Sequence, residues 1–439
     1  MGKLVNKKFY ISLVLFSLIG QVAWVVENMY FNVFIYKMFS ASASEISLMV
    51  SLSSIVATLT TILVGALSDK VGKRKIFISL GYVLWGVSIL GFAFVRKDVV
   101  SYIFTGTISV TAICIALTIA LDCIMTFFGS TANDACFNAW LTDSTRDGGR
   151  GAVEGINSMM PLMAILVVFG GFMSFDLSNE KSWTTIFIII GAVVCICGIL
   201  SFVLIEDVKI ETLDNQNYFK NIVYGFRLKT AKANPIMYLT ILAFAVFGIA
   251  IQIFMPYLII YYEVSLKLSN YVLIMAPAII IAGLVTAFYG RYYDKVGFVG
   301  SIIPALSVLA IGFIMLSAFT NVIMVFIGSL FMMTGYLTGM AVFGAMIRDN
   351  TPEDKAGAFQ GLRIVGQVLI PGIIGPAVGA WVLRNAEVIV GNDGTTSFIP
   401  NRNIFIASLV VLSVVFILVF LFLGYKKKIE QKNIKKEIS

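Results

Sequence analysis

The stretch Gly65-Ala66-Leu67-Ser68-Asp69-Lys70-Val71-Gly72 has a second copy, Gly290-Arg291-Tyr292-Tyr293-Asp294-Lys295-Val296-Gly297, 225 residues further on. Both read G-x-x-x-D-K-V-G, and each closes a long apolar run. Apolar matches arise easily by chance in a greasy chain, whereas a repeated Asp-Lys turn does not. The duplication points to a membrane protein built from two similar halves.

The rest of the chain fits that reading. Of its 439 residues, 59% are hydrophobic and 13% charged, against roughly a quarter charged in soluble domains. A helix needs roughly 20 apolar residues to cross hydrocarbon, and its backbone satisfies its own hydrogen bonds there. A β-barrel would show strict alternation, which runs such as Ile186 to Ile205 lack. The expected fold is therefore an all-α polytopic membrane protein of twelve spans in two pseudo-symmetric six-helix bundles. The spans are placed near 9–36, 45–67, 76–95, 104–140, 152–174, 183–205, 236–262, 269–290, 299–319, 322–347, 357–384 and 403–425. The expected domains are residues 1–205, a linker at 206–235, residues 236–425 and a basic tail at 426–439. The linker, Glu206 to Pro235, is the longest polar connection, and 385–402 forms a largely polar external loop.

Charge tests this topology. Loops on one side hold 24 of the 32 Lys and Arg, and those on the other hold seven, with Arg363 inside the eleventh span. By the positive-inside rule both termini are cytoplasmic, in a multi-pass protein of the cell membrane. The net charge of +8 is explained by this asymmetry, so no nucleic-acid partner is expected. Cys114, Cys123, Cys136, Cys195 and Cys197 all lie in apolar runs and read as small core residues. With no histidine, no metal site or cofactor is expected.

A second repeat locates a length difference between the halves. Asp143 precedes Gly151-Ala152-Val153-Glu154-Gly155 as Asp349 precedes Gly357-Ala358-Phe359-Gln360-Gly361, at an offset of 206. The first half is thus 19 residues longer between these markers. The surplus falls at the fourth span, since 104–140 is too long for one straight crossing.

Gly65, Asp69, Lys70, Gly72 and Arg74, with Gly290, Asp294, Lys295 and Gly297 in the other half, resemble the conformational-gate motif of the major facilitator superfamily. The resemblance implies secondary transport by alternating access. It also implies that Asp69 meets the eleventh span near Gly357, as a carboxylate at a helix N-terminus would. Gly20-Gln21-Val22-Ala23-Trp24 and Asp134-Ala135-Cys136-Phe137 are further similar to the glycoside–pentoside–hexuronide:cation symporters and their sucrose-transporter relatives. Melibiose-permease-like members have D-x-P-F at the latter place, with the Asp serving the cation. Here Cys136 replaces the proline, and 46–67 lacks the acids those members carry in the second span. Proton coupling is accordingly expected over sodium.

Charged groups at membrane depth are costly and usually functional. Glu27 lies deep in the first span beside Asn28, and its partner at the 225 offset is Gln252 in the seventh. By the resemblance, both spans line one central path. A carboxylate there can take a proton or bind substrate hydroxyls or amines; a buried structural contact is the bland alternative. Asp134 and Asn138 share a helical face and either couple a cation or anchor the loop to Asp143. Asp122 falls at the external end or within the surplus segment. Arg363, flanked by Gln360 and Gln367, either binds an anion, pairs with Asp134 or snorkels. Trp24 and Tyr30 lie on or near the path and can stack a sugar face or serve packing. The expected partners are a small-molecule solute, a coupling cation and the lipid bilayer.

These features favour a symporter for a small polar solute such as a sugar or glycoside. An exporter of drug-like or cationic amphipathic compounds suits Glu27 and its aromatic neighbours too. A membrane enzyme lacks its nucleophile or metal cluster, and a channel does not explain the duplicated gate loop.

Overall fold

The computed structural model describes residues 7–104, 109–145, 150–207, 225–268, 270–351, 356–390 and 395–438. Among them, eleven helices are long and apolar enough to cross a membrane. One of these, Val272–Ala318, is 47 residues long and is broken by non-helical backbone at Gly297. It therefore holds the eighth and ninth spans end to end, which accounts for twelve. Apart from one small hairpin, the described residues build helices and the turns between them.

The two repeated turns both end on a glycine at positive φ, although their ψ angles differ, 14° at Gly72 and −176° at Gly297. Gly72 has φ of 70° and Gly297 has φ of 71°. Side chains are strained in that left-handed region, so only glycine turns the chain there without cost. The second span (Ala43–Val71) starts from a reciprocal cap. The Ser42 hydroxyl accepts from the Glu45 amide at 3.2 Å, and the Ser42 amide donates to the Glu45 carboxylate at 2.7 Å. Its outer face exposes Leu48, Leu59, Leu63 and Leu67, as hydrocarbon solvent requires.

The fourth span corrects the expected range. It runs from Val110 to Ser144, and a wide π-turn occupies Ser130–Phe137. Most of the surplus lies before it. The connection from the third span (Arg74–Phe92) includes a short helix, Lys97–Ile103, whereas its counterpart between Ala318 and Val322 has only three residues. Arg96 ties this connection to the start of the sixth span (Glu180–Leu204) by pairing with Asp98 at 2.7 Å and Glu180 at 3.1 Å. The Arg96 hydrogen bonds hold the exposed Asp98 carboxyl below its ordinary range. A solvated pair of this kind fixes geometry more than it adds stability.

The chain forms two compact units. Unit 1 comprises Met1–Tyr218 together with Pro256–Ile260 and Glu387–Phe398; unit 2 comprises Phe219–Met255, Tyr261–Ala386 and Ile399–Ser439. In unit 1, Phe31 and Phe34 of the first span (Lys7–Phe39) pack against Phe92, Trp183 and Phe187, with ring centroids 4.5–5.6 Å apart. That aromatic layer fixes the first span against the third and sixth. Beyond the sixth span the chain is held to the same unit. The Lys8 ammonium pairs with Glu206 at 2.6 Å, and the Lys75 amide donates to Asp207 at 2.9 Å. Residues 208–224 of the expected linker and 391–394 of the expected polar loop lie outside the described residues. The loop contains an antiparallel hairpin, β1 (Val388–Val390) with β2 (Thr396–Phe398), in which Val388 faces Phe398. The Tyr36 hydroxyl donates to the Phe398 carbonyl at 2.6 Å. In unit 2, Phe244, Phe247, Phe298 and Phe343 build the corresponding aromatic core.

Candidate functional site

A π-turn widens the first span over Val26–Phe31 and carries Glu27. Such turns insert one residue into the helical ladder and re-aim the side chains around it. Glu27 is 6% exposed, turned into the helix packing of unit 1. The Ser53 hydroxyl of the second span donates to its Oε1 at 2.6 Å, and the Thr126 hydroxyl of the fourth donates to the same oxygen at 2.9 Å. No described residue reaches Oε2. One turn before Thr126 on the same helix face, Asp122 is 1% exposed, and its Oδ1 also lacks a described partner. Asp122 lies within electrostatic reach of Glu27.

Asp134 occupies the π-turn of the fourth span. The Ser130 hydroxyl donates to it at 3.1 Å, the Trp24 side chain faces it, and it bears electrostatically on Glu27. Three carboxyls thus cluster in unit 1, with Glu27 and Asp122 buried and Asp134 half-buried. Among the described residues none of the three makes an ion pair with Lys or Arg.

The other candidates sort by geometry. Asn28 is exposed on the first span and donates to the Trp24 carbonyl at 2.8 Å; with the half-buried Gln21 and Trp24 it lines the less buried face of that helix. Tyr30 is fully buried against Phe169 and Phe172, with ring centroids 6.0 and 4.3 Å away, so it packs. Asn138 reaches only the backbone carbonyl of Asp134, at 3.4 Å. In unit 2, Gln252 is half-buried where Gly375 lets the eleventh span press on its backbone. The Arg363 guanidinium donates to Gln367 at 3.3 Å, beside another π-turn at Val365–Leu369. Ser53 and Thr126 are the residues the sequence reading passed over, and Asp122, expected at the external end or within the surplus segment, lies buried instead.

The gate motif of the first half is a buried charge cluster. Arg74, 4% exposed, binds Asp143 through Nε and Nη2, both at 3.2 Å, and also pairs with Asp69 and Ser68. A Cβ at Gly65 would make only ordinary contact with Ala135 of the fourth span, and Lys70 is exposed. The expected meeting of Asp69 with the segment near Gly357 involves side-chain surroundings outside the described residues. In the second half Gly290, Asp294 and Lys295 are exposed, and no base follows Gly297. There the Tyr293 hydroxyl donates to Asp349, the counterpart of Asp143, at 2.5 Å. A neutral donor does the work of Arg74, so Tyr293→Phe is expected to cost only about 1 kcal/mol. A thermal shift scan of the detergent-solubilised protein checks this; a loss as large as that of an Arg74 variant would contradict it.

Helices of this number, repeated polar turns and buried carboxyls define a polytopic transporter rather than an enzyme. The family model described as Major Facilitator Superfamily matches residues 11–337, and the chain belongs to that superfamily. Its fold is similar to a mutant of the nucleoside transporter NupG, at 13% identity and TM-score 0.71, covering 95% of this chain and 99% of that one. It is similar also to a D-xylose–proton symporter, at 15% identity and TM-score 0.69, covering 93% and 97%. A bacterial homolog of the human lysosomal transporter Spinster aligns at 16% identity and TM-score 0.65, covering 95% and 97%. No curated protein matches the chain in sequence.

Proposed function

We propose that this transporter moves a small polar solute, a sugar or glycoside, by alternating access with proton coupling, and that Glu27 carries the proton. The observation behind this is the Glu27 carboxyl, buried on a π-turn, held at one oxygen by two hydroxyls and facing no basic partner among the described residues. An unpaired carboxylate at membrane depth is too costly to be kept for packing alone. A proton neutralises it without a dedicated cage. Trp24 and Asn28, on the less buried face of the same helix, offer a ring face and amide groups of the kind that recognise a sugar. Asp134 beside Trp24 is a second proton-accepting candidate.

The reading agrees with the sequence likeness to the glycoside–cation symporters and with the D-xylose–proton symporter among the similar folds. NupG, a nucleoside transporter, makes nucleosides a further ribose-bearing class to test. On this reading the chain sits in the cell membrane with both termini cytoplasmic. The gate cluster around Arg74 secures one conformation, and the domains follow the 1–205 and 236–425 halves.

The test is uptake into proteoliposomes over a panel of sugars, glycosides, nucleosides and cationic amphiphiles, with proton and sodium gradients imposed separately. Saturable sugar or nucleoside uptake driven by an inward proton gradient is expected. Uptake driven by sodium alone, or export of the amphiphiles alone, would overturn the proposal.

A further inference from the structure

Glu27 and Asp122 are buried together, yet their surroundings differ. Glu27 takes two hydroxyl hydrogen bonds on Oε1, from Ser53 and Thr126, and bonds of that kind favour an ionised acceptor. Asp122 is 1% exposed, and its Oδ1 accepts no hydrogen bond from any described residue. Ionised, Asp122 would hold a negative charge in low dielectric with one oxygen lacking a donor and with no Lys or Arg paired to it among the described residues, within reach of a second carboxylate. Two like charges so placed do not both ionise. The titratable groups around the pair are Cys123 on the fourth span and Asp134 on its π-turn. Both are neutral or negative, so neither relieves the repulsion.

We infer that Glu27 and Asp122 act as one proton-sharing site, in which Asp122 keeps a resident proton and Glu27 takes up and releases the transported one. The inference rests on the reading of Glu27 as the proton carrier and adds Asp122 as the residue that sets its working state. The orphaned oxygens are where the protons go. The resident proton belongs to the Asp122 carboxyl and gives that group a donor of its own. The exchanged proton bonds to Oε2 of Glu27, neutralises the carboxylate and leaves from the same oxygen. Nothing but a proton moves, and no redox partner is needed. The site's charge alternates between minus one and zero, never minus two. Without Asp122's proton the empty carrier would have to reorient with two buried charges.

Infrared spectroscopy of the full-length protein in liposomes tests this without a known solute, because a protonated carboxyl has its own C=O stretching band. Wild type is expected to show one such band that persists from acidic through mildly alkaline buffer and one that titrates. Asp122→Asn is expected to remove the persistent band. Glu27→Gln should remove the titrating band and move the frequency of the persistent one, since its neighbour has changed. Asp122→Glu, which keeps the carboxyl, should retain a persistent band at a new frequency. This variant decides the matter if Asp122→Asn fails to fold.

Three results would overturn the inference. One is a persistent band that survives Asp122→Asn. Another is an Asp122 band indifferent to Glu27→Gln. The third is a titrating band displaced by sodium at constant pH, which would make the pair a metal-cation site. Loss of the transport reading has a separate signature, because Glu27→Gln would then still accumulate solute while the infrared pairing stood.

Discussion

Glu27→Gln is expected to abolish proton-driven accumulation while leaving counterflow in place. Glutamine keeps the shape and can still accept from Ser53 and Thr126 at the position of Oε1, so folding and the helix contacts survive. What it cannot do is bind and release a proton near neutral pH. For one proton per solute, each unit of pH difference across the membrane supplies about 1.4 kcal/mol, or about tenfold accumulation. The variant should lose that factor and equilibrate the solute to a ratio of about one. Counterflow requires only solute binding and reorientation, and the permanently neutral site favours reorientation. Proteoliposomes preloaded with unlabelled solute and given labelled solute outside read the two properties in one preparation. If the variant still concentrates solute, Glu27 carries no coupling proton. If both accumulation and counterflow vanish while the protein remains folded, Glu27 serves the solute instead.

Much of the fold was legible because its signals are periodic and coarse. Apolar runs and the bias of Lys and Arg located the spans, and the repeated Asp-Lys-Val-Gly turn divided the chain. The structure supplies a physical reason for the repeated glycine, since Gly72 and Gly297 both take a positive φ that side chains rarely adopt. The fourth span was harder. Residues 104–109, Phe-Thr-Gly-Thr-Ile-Ser, carry no charge, and that kept them joined to the apolar run although the helix starts only at Val110. The three-residue strands near 390 were too short to leave an alternating pattern.

The candidate site was half legible, for a different reason. Glu27 stands out as a charge in an apolar run. Its hydroxyl partners do not, because Ser and Thr are common in membrane helices and usually satisfy themselves on the carbonyl four residues back. Ser54 and Thr61 do this, bonding Val50 and Ala57 at 2.8 Å. Ser53, adjacent to Ser54, points instead at Glu27. Only tertiary structure separates the two serines. Asp122 was visible but misweighted, since its depth depended on where the fourth span begins. With the helix starting at Val110, Asp122 lies three turns in and is fully enclosed. The π-turns under Glu27 and Asp134 have no compositional mark at all, and they decide where both carboxyls point.

Arg74 gives the largest expected loss of stability. Its side chain is 5% exposed and is held by Asp143, itself 6% exposed, and by Asp69, which is 29% exposed. Arg74→Ala removes the cation at the centre of the cluster and leaves the buried Asp143 without it. Breaking a buried pair from one side typically costs about 3–5 kcal/mol. The more solvated Asp69 adds little to that figure. Arg74→Lys should recover only part of the loss, because a point charge cannot meet Ser68, Asp69 and Asp143 at once as the guanidinium fork does. Adding Asp143→Asn to Arg74→Ala should restore stability, since the buried charge is then gone; that recovery separates electrostatic loss from lost packing. Unfolding of a polytopic protein in detergent is commonly irreversible, so the quantity to compare is the inactivation rate at one temperature. Inactivation is expected to be fastest for Arg74→Ala, slower for Arg74→Lys and slowest for wild type, with the double variant near wild type. An Arg74→Ala protein as durable as wild type would show that the cluster, however well buried, holds nothing together.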